Sequence, residues 1–520
     1  MPRLTDYLSY QDAQQHFSQA ALWELFDGTR ERMNIAHECV DRHAARADAV
    51  AIRIARADGG DEIITFQALS AASARFAHFL RARQVAKGDR IAVMLEPSLA
   101  FYAAMFGAMK AGAVTAPMFT LFGPDGIRLR VDDCRPKLMF TNAEKADEAR
   151  FDGGPEIIVA GADFMASLNE YDTSFAWDTA ANDLAVLQYT SGTTRLLPEA
   201  VKHTHKSIVT LMIAALYATG IRPGDRFFCP SSPAWGHGLW HGTLAPLALG
   251  VSTGTFSGKF DPVRLLQALS EFEITNLSAA ATHYRMIRNS GRAQEFGYSM
   301  QKLSFTGEPI DSETAAYVEA LFGAKVCSMY GTTEVGVILA NYPGADDLEV
   351  RPGSLGKPVP GVEVQVHDPQ GKPCAPGQTG ELVVRRRDAW IATKDLGRVD
   401  ADGYFYHGGR ADDVIISAGW TMSAVEIEDA ILKHDSVAEA AAIGVPDQTR
   451  GQIVRAYVVL KREATPGLAE EIQALVRSNL SRHEYPREIE FVAALPKTPA
   501  GKVNRKVLRD AVAAAASSAA

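Results

Sequence analysis

Short apolar runs bounded by polar turns alternate, over most of the chain, with longer stretches whose apolar positions recur every three or four residues. Residues 90–95 (RIAVML) read as a buried strand, 98–110 as an apolar helix and 113–118 as another strand. Residues 156–160 and 184–189 predict further strands, and 208–218 an apolar helix. Strands alternating with helices predict an α/β fold, with largely parallel sheets layered between helices. No internal repeat at solenoid spacing is visible.

The pattern changes near residue 400. Asp400, Asp402 and Gly403 predict a turn, and the elements beyond it are shorter. Ala424, Ile427 and Ile431 share one helix face. Leu468, Ile472, Leu475, Val476 and Leu480 mark a second helix started by Pro466 and Gly467, while 438–445 and 454–460 read as strands. The predicted organisation is a large N-terminal domain, 1–409, and a small mobile α+β domain, 410–520. The Ala/Ser-rich tail from Ala511 is predicted to fray.

Composition narrows the function. Of 520 residues, 47% are hydrophobic and 22% charged, an ordinary globular balance, and the formal charge of −9 would repel a phosphate backbone, so no nucleic acid partner is expected. Five cysteines without metal-ligand spacing predict neither a disulfide framework nor a zinc site, and fit a reducing cytoplasm. The polar start lacks a signal-peptide core, and no apolar run approaches the ~18 residues of a membrane span.

Four segments could carry chemistry. In 189–205 (YTSGTTRLLPEAVKHTH), small hydroxyl residues around Gly192 follow a strand and precede a helix, and would offer N–H and hydroxyl donors to phosphate oxygens. The same residues also make an ordinary Ser/Thr-rich turn. In 330–336 (YGTTEVG), Glu334 lies beside two hydroxyls, and beside a phosphate loop it could hold Mg²⁺; alone it reads as a solvated surface group. In 393–410, Asp395 could accept hydrogen bonds from both ribose hydroxyls. In 496–505 (PKTPAGKVNR), Lys502 lies on a Gly-containing loop that alone would read as a basic surface turn.

Together, in this order, the four segments resemble the adenylate-forming superfamily of acyl-CoA synthetases, adenylation domains and luciferases, over nearly the whole chain. Residues 34–43 (NIAHECVDRH), 306–311 (TGEPID), 351–361 (RPGSLGKPVPG) and 484–502 (EYPREIEFVAALPKTPAGK) are similar to acetyl- and medium-chain acyl-CoA synthetases. The resemblance implies attack of a carboxylic acid on the α-phosphate of ATP with Mg²⁺, then transfer of the acyl group from AMP to the thiol of coenzyme A. Adenylation supplies a leaving group and splits one hard step into two easier ones.

The resemblance also implies roles. Thr190, Ser191, Gly192, Thr193 and Thr194 match the start of the phosphate loop, and Gly307, Glu308 and Pro309 the segment lining adenine. Tyr330 would stack near the base, Thr333 contact the α-phosphate, Glu334 hold Mg²⁺, and Asp395 and Arg410 bind the nucleotide. Lys502 matches the lysine that stabilises the adenylation transition state. Asp412 matches a hinge, Gly419 a glycine beside pantetheine, and Arg477 a contact to coenzyme A. Such a Lys502 segment also implies a lysine acetyltransferase as a partner.

One stretch departs from the family pattern. After Thr194 the chain runs Arg195, Leu196, Leu197, Pro198, Glu199, Ala200, so the usual glycine is missing and an acid stands at the lysine position. Retained activity is expected because Glu334, Asp395, Arg410 and Lys502 are present. Two alternatives stay open: an adenylation enzyme loading a carrier protein, and a weakened acyl or nucleotide sensor. Acetate-specific relatives close their acyl pocket with a Trp where this chain has Gly331, and Gly236 stands at a second wall position. With Trp235, His237, Thr306, Phe305 and Met329 as the remaining wall, medium-chain, branched or aromatic acids are expected, and His237 could either orient a polar acyl group or be a structural histidine.

Overall fold

The computed structural model describes residues 2–518, apart from 190–199, 333–334, 411–414, 418–419, 423, 448–450, 481–484 and 499–501. By packing, the chain divides into two compact units. The first comprises Met1–Gly307, Thr314–Val350 and Val359–Gly361; the second comprises Glu308–Glu313, Arg351–Pro358 and Val362–Ala520.

The first unit holds two sheets. In one, strands run in the order Glu156–Val159, Leu138–Thr141, Arg90–Met94, Val114–Pro117, Leu184–Tyr189 and Ala200–Thr204. The first five are parallel and the last pairs antiparallel with Leu184–Tyr189. Ile91, Ala92, Val93 and Met94 are each fully buried, because helices cover both faces of a parallel sheet and leave no polar side for the strand to show. The intervening helix Leu99–Lys110 starts on Ser98, whose hydroxyl accepts from the Phe101 N–H at 3.2 Å. It is buried along most of its length, and its terminal Lys110 is neutralised inside the domain by Asp41, 2.6 Å away.

The other sheet of this unit has a parallel centre ordered Val326–Thr332, Lys302–Thr306, Asn276–Ala280, Arg226–Phe228, Ser252–Ser257 and Val50–Arg56. Antiparallel strands flank it at either end, Gly336–Ala340 and Glu62–Thr65.

The second unit begins with an antiparallel sheet ordered Val364–His367, Gly380–Arg386, Ala389–Val399, Phe405–Arg410 and Ser354–Pro358. Asp400 makes the predicted turn: its Oδ1 accepts from the N–H groups of Asp402 (3.0 Å) and Tyr404 (2.9 Å). A three-stranded sheet follows, in which Val437–Asp447 and Gly451–Leu460 are antiparallel and Glu488–Phe491 is parallel to the latter. Ile427, Ile431, Ile472 and Val476 from helices Ala424–Leu432 and Leu468–Asn479 close over it. The C-terminal tail differs from the expectation of fraying: the helix Arg505–Ser518 continues through it. Alanine has the highest helix propensity, Leu508 is buried, and Arg505 is tied to the Glu428 carboxylate at 2.5 Å. Among the described residues no helix is long and apolar enough to cross a membrane.

Candidate active site

In the second unit, Asp395 lies on strand Ala389–Val399, with Arg410 as its cross-strand partner in the register. The carboxylate is only 5% exposed. The backbone delivers it there through two local features. Lys394, just before it, adopts φ +64°, a left-handed conformation costing roughly 1 kcal/mol in a residue with a side chain. Just after it, the register slips between Leu396 and Gly397, a bulge of the kind that re-aims a neighbouring side chain. The Asp395 N–H donates to Thr393 Oγ1 at 3.2 Å, and Thr393 in turn donates to the Leu382 carbonyl at 2.8 Å. His407 Nδ1 accepts from the Gly409 N–H at 3.3 Å, which leaves Nε2 as the protonated nitrogen, 4.0 Å from Asp395 Oδ2. A buried carboxylate held this way is an acceptor pair suited to a diol.

Further along, Lys502 is half-buried. Its N–H donates to Thr498 Oγ1 at 3.2 Å, its carbonyl accepts from the Thr498 N–H at 2.7 Å, and Lys497 bridges Val503. Lys502 therefore rises from a pinned backbone. The Arg477 guanidinium lies 4.2 Å from the centre of the Tyr485 ring, and that of Arg487 5.0 Å from the same ring. Asp412 and Gly419 lie outside the described residues.

In the first unit, strand Lys302–Thr306 sets Thr306 opposite Ala280 and Phe305 opposite Ser328. Gly307 ends it at φ +98°, a region glycine enters without strain; Glu308 and Pro309 follow. Tyr330 is half-buried on strand Val326–Thr332. Thr190, Ser191, Gly192, Thr193 and Thr194 of the expected phosphate loop, and Thr333 and Glu334, lie outside the described residues.

The acyl-wall positions divide sharply. A Cβ built on Gly331 would lie 1.9 Å from the carbonyl oxygen of Gly336 on the adjoining strand. The expectation that a missing indole leaves free volume at Gly331 is therefore corrected: the glycine is required by close backbone approach beside a bulge between Tyr330 and Gly331. At Gly236 the nearest atom to a built Cβ is Gln188 Oε1, an ordinary 3.7 Å away, so this position does have room. His237 is 4% exposed, and both ring nitrogens meet serine hydroxyls, Nδ1 at Ser231 (3.0 Å) and Nε2 at Ser278 (2.9 Å). Of the two readings of His237, this geometry fits the structural one, since both nitrogens are already engaged in the domain.

Gly236 caps an eight-residue π-helix, His237–Leu244. Its width shows in the i→i−5 bond from the Ala245 N–H to the Trp240 carbonyl. Sequence reasoning missed this feature and the residues it gathers, Gln188, His203, Trp240 and His241. The available signal was the repeat His-Gly at 237–238 and again at 241–242. The glycines face close neighbours: a Cβ on Gly238 would lie 2.1 Å from the Ser232 carbonyl oxygen, and one on Gly242 2.9 Å from Cys229 Sγ. Trp240 Nε1 donates to Gln188 Oε1 at 2.7 Å, and Gln188 Nε2 donates to the Ala234 carbonyl at 3.3 Å. The His203 ring sits 4.4 Å from that of Trp240. Burial pushes His203 and His241 down to about 4, so both are neutral at pH 7.

Comparison with known proteins covers both units. The model of the AMP-binding enzyme family matches residues 40–391, and that of the AMP-binding enzyme C-terminal domain matches 426–502. The chain is 29% identical to the acetyl-coenzyme A synthetase of Bacillus subtilis (strain 168), over 96% of this chain and 94% of that one. A Brucella canis acyl-CoA synthetase structure is similar at 32% identity and a TM-score of 0.75, covering 98% of this chain and 99% of the other. The anthranilate CoA ligase AuaEII, solved with anthranoyl-AMP, is similar at 26% identity and a TM-score of 0.86, covering 96% of this chain and all (100%) of the other.

Proposed function

The chain belongs to the AMP-binding enzyme family, with its large N-terminal and small C-terminal parts, and on that premise we propose that it activates a medium-chain, branched or aromatic carboxylic acid and passes it to coenzyme A. The reaction class is that of an AMP-forming acid–thiol ligase, with ATP and coenzyme A as co-substrates.

The observation that carries the residue assignment is the buried Asp395 carboxylate, set opposite Arg410 by strand register. Asp395 accepts from the ribose hydroxyls and so fixes the nucleotide. Gly307, Glu308, Pro309 and Tyr330 flank the base. The hydroxyls and N–H groups of residues 190–194 hold the phosphates, with Thr333 at the α-phosphate. Lys502 brings a cation to the α-phosphate, where negative charge builds as the acid's oxygen attacks and pyrophosphate departs. Gly419 and Arg477 serve coenzyme A, and Asp412 is the hinge between the two half-reactions.

Mg²⁺ enters on sequence alone, through Glu334. Among the described residues no group of three His, Cys, Asp or Glu stands together as a metal site.

The test is acid-dependent exchange of pyrophosphate into ATP, followed by AMP release with coenzyme A, across acetate, hexanoate and benzoate. Exchange without AMP release on coenzyme A would favour a carrier-protein acceptor. Absence of exchange with every acid would refute the ligase assignment.

A further inference from the structure

Lys502 stands on a short ribbon in which the chain doubles back between Pro496 and Asn504. The Asn504 N–H donates to the Pro496 carbonyl at 2.8 Å, Val503 bridges Lys497, and Lys502 exchanges two hydrogen bonds with Thr498. These contacts fix Lys502 against its own loop. The angle of that loop to the rest of the small domain needs a separate cause.

Part of the anchorage is apolar. Leu495 is buried with Ile443, Val445, Tyr457 and Leu508, and Val503 packs against this cluster. Such burial holds the ribbon down, but the hydrophobic effect is non-directional and leaves its angle loose. The directional tie is Arg505, three residues beyond Lys502 and the first residue of helix Arg505–Ser518. Its guanidinium forks onto Glu428, with Nε donating to Oε1 at 3.0 Å and Nη2 to Oε2 at 2.5 Å. A planar fork on a carboxylate fixes orientation as well as distance.

The carboxylate is itself held. Glu428 projects from helix Ala424–Leu432, and its Oε1 also accepts from the Ala442 N–H, 2.7 Å away on strand Val437–Asp447. The Glu428 and Arg505 side chains are 9% and 20% exposed, so water and salt screen the pair little. The neighbouring pairs Lys497–Glu439 and Lys506–Asp510 are more exposed at both ends and hold little by comparison. Between the fork and Lys502 stand only Val503 and Asn504, and both are bonded across the ribbon. Few free torsions separate the angle of the fork from the position of the Lys502 backbone.

We propose that Arg505 and Glu428 are a positioning pair for Lys502, setting the angle from which its ammonium group reaches the α-phosphate during adenylation. This rests on the reading above that Lys502 serves the first half-reaction. Without the fork the ribbon keeps its apolar packing and loses its direction, and a cation misplaced by about 1 Å can forfeit about a hundredfold in rate.

The experiment measures two half-reactions: single-turnover formation of acyl-adenylate from ATP and acid, and thioester formation from supplied acyl-adenylate and coenzyme A. It compares the parent enzyme with Arg505→Lys, Glu428→Gln, Lys502→Ala and the double variant Arg505→Lys/Lys502→Ala. Arg505→Lys keeps the charge and loses the fork; Glu428→Gln keeps an acceptor for the Ala442 N–H and loses the charge. Each should slow adenylation by about ten- to a hundredfold and leave thioester formation within about twofold of the parent. In the Lys502→Ala background, Arg505→Lys should add less than about twofold, because a residue that acts through Lys502 then has nothing left to position. Equal loss in both half-reactions, or the same loss with and without Lys502, would show that the pair only holds the domain together and would overturn the inference. Adenylation within about threefold of the parent in both single variants would overturn it too. Should Arg505→Lys fail to fold, Glu428→Gln, alone and combined with Lys502→Ala, decides by the same ratios. Those outcomes leave the role of Lys502 standing, whereas a Lys502→Ala enzyme that adenylates at the parent rate would remove that role and the inference together.

Discussion

Two glycines stand at the positions where acetate-specific relatives narrow the acyl pocket, and the structure predicts opposite results on filling them. At Gly331 a Cβ would lie 1.9 Å from the Gly336 carbonyl oxygen. Carbon and carbonyl oxygen normally approach no closer than about 3.3 Å, so the two strands would have to part by about 1.4 Å. The pairs Gly331–Val337 and Thr332–Gly336 lie at that point of the ladder, immediately before residues 333–334. Overpacking costs about 1–3 kcal/mol, and the upper end applies where the obstacle is backbone with no rotamer to change. Gly331→Ala should therefore lose about 3 kcal/mol of stability. Gly331→Trp should lose activity on every acid without gaining preference for acetate.

Gly236 behaves otherwise. Its φ of −53° and ψ of −41° suit any residue, and its nearest neighbour is the Gln188 amide oxygen at 3.7 Å. Gly236→Val should fold and occupy space open to an acyl chain. Denying burial to two or three methylenes, at ~0.8 kcal/mol each, would lower kcat/KM for hexanoate relative to acetate by about thirtyfold. Thermal unfolding and pyrophosphate exchange with acetate and hexanoate, run on all three variants, check both halves. A stable Gly331→Trp enzyme with a raised acetate-to-hexanoate ratio would refute the reasoning, as would a Gly236→Val enzyme of unchanged ratio.

The remaining predictions concern charge. Burial holds His205 at about 4 against an ordinary 6.5, and its Nδ1 accepts from the Ile35 N–H at 3.1 Å. The folded state resists the proton, so this contribution is complete above pH 6.5 and is lost as pH falls; it should account for about 2 kcal/mol of the stability lost between pH 7 and pH 5. Urea midpoints for the parent and His205→Asn should converge as pH falls over that range, and a constant gap would count against it. Asp395→Asn should lower kcat/KM for ATP by about a hundredfold through weakened ribose contacts, and a change under threefold would show that Asp395 does not touch the nucleotide. Lys502→Ala should lower adenylation by about 10²–10³-fold yet spare thioester formation from supplied acyl-adenylate; equal loss in both half-reactions would refute its assignment.

Much of the fold was legible because its strongest signals are local. Strands such as Arg90–Met94 are buried on both faces and show as unbroken apolar runs, and Ser98 announces the helix after it. The helical tail was misjudged because a run of alanine and serine carries no apolar periodicity; its helix depends on alanine propensity and on anchorage by Arg505 to Glu428. The burial of Asp395 was hidden for another reason. It comes from a left-handed Lys394 and a bulge at Leu396–Gly397, and neither residue type advertises that conformation.

The acyl wall shows where residue identity and residue environment part. Gly236 and Gly331 look equivalent in sequence, each lacking a side chain where some relatives have a large one. One lacks it beside open space, and the other lacks it because a carbonyl oxygen already stands there. His237 and His241 present the same contrast: identical side chains, each followed by glycine, on one π-helix. Two serines complete the first, and nothing described completes the second. What each ring can do depends on which of its polar atoms the fold leaves unsatisfied. That property belongs to pairs of residues brought together by topology, Ser231 and Ser278 with His237 among them, and no linear motif encodes it.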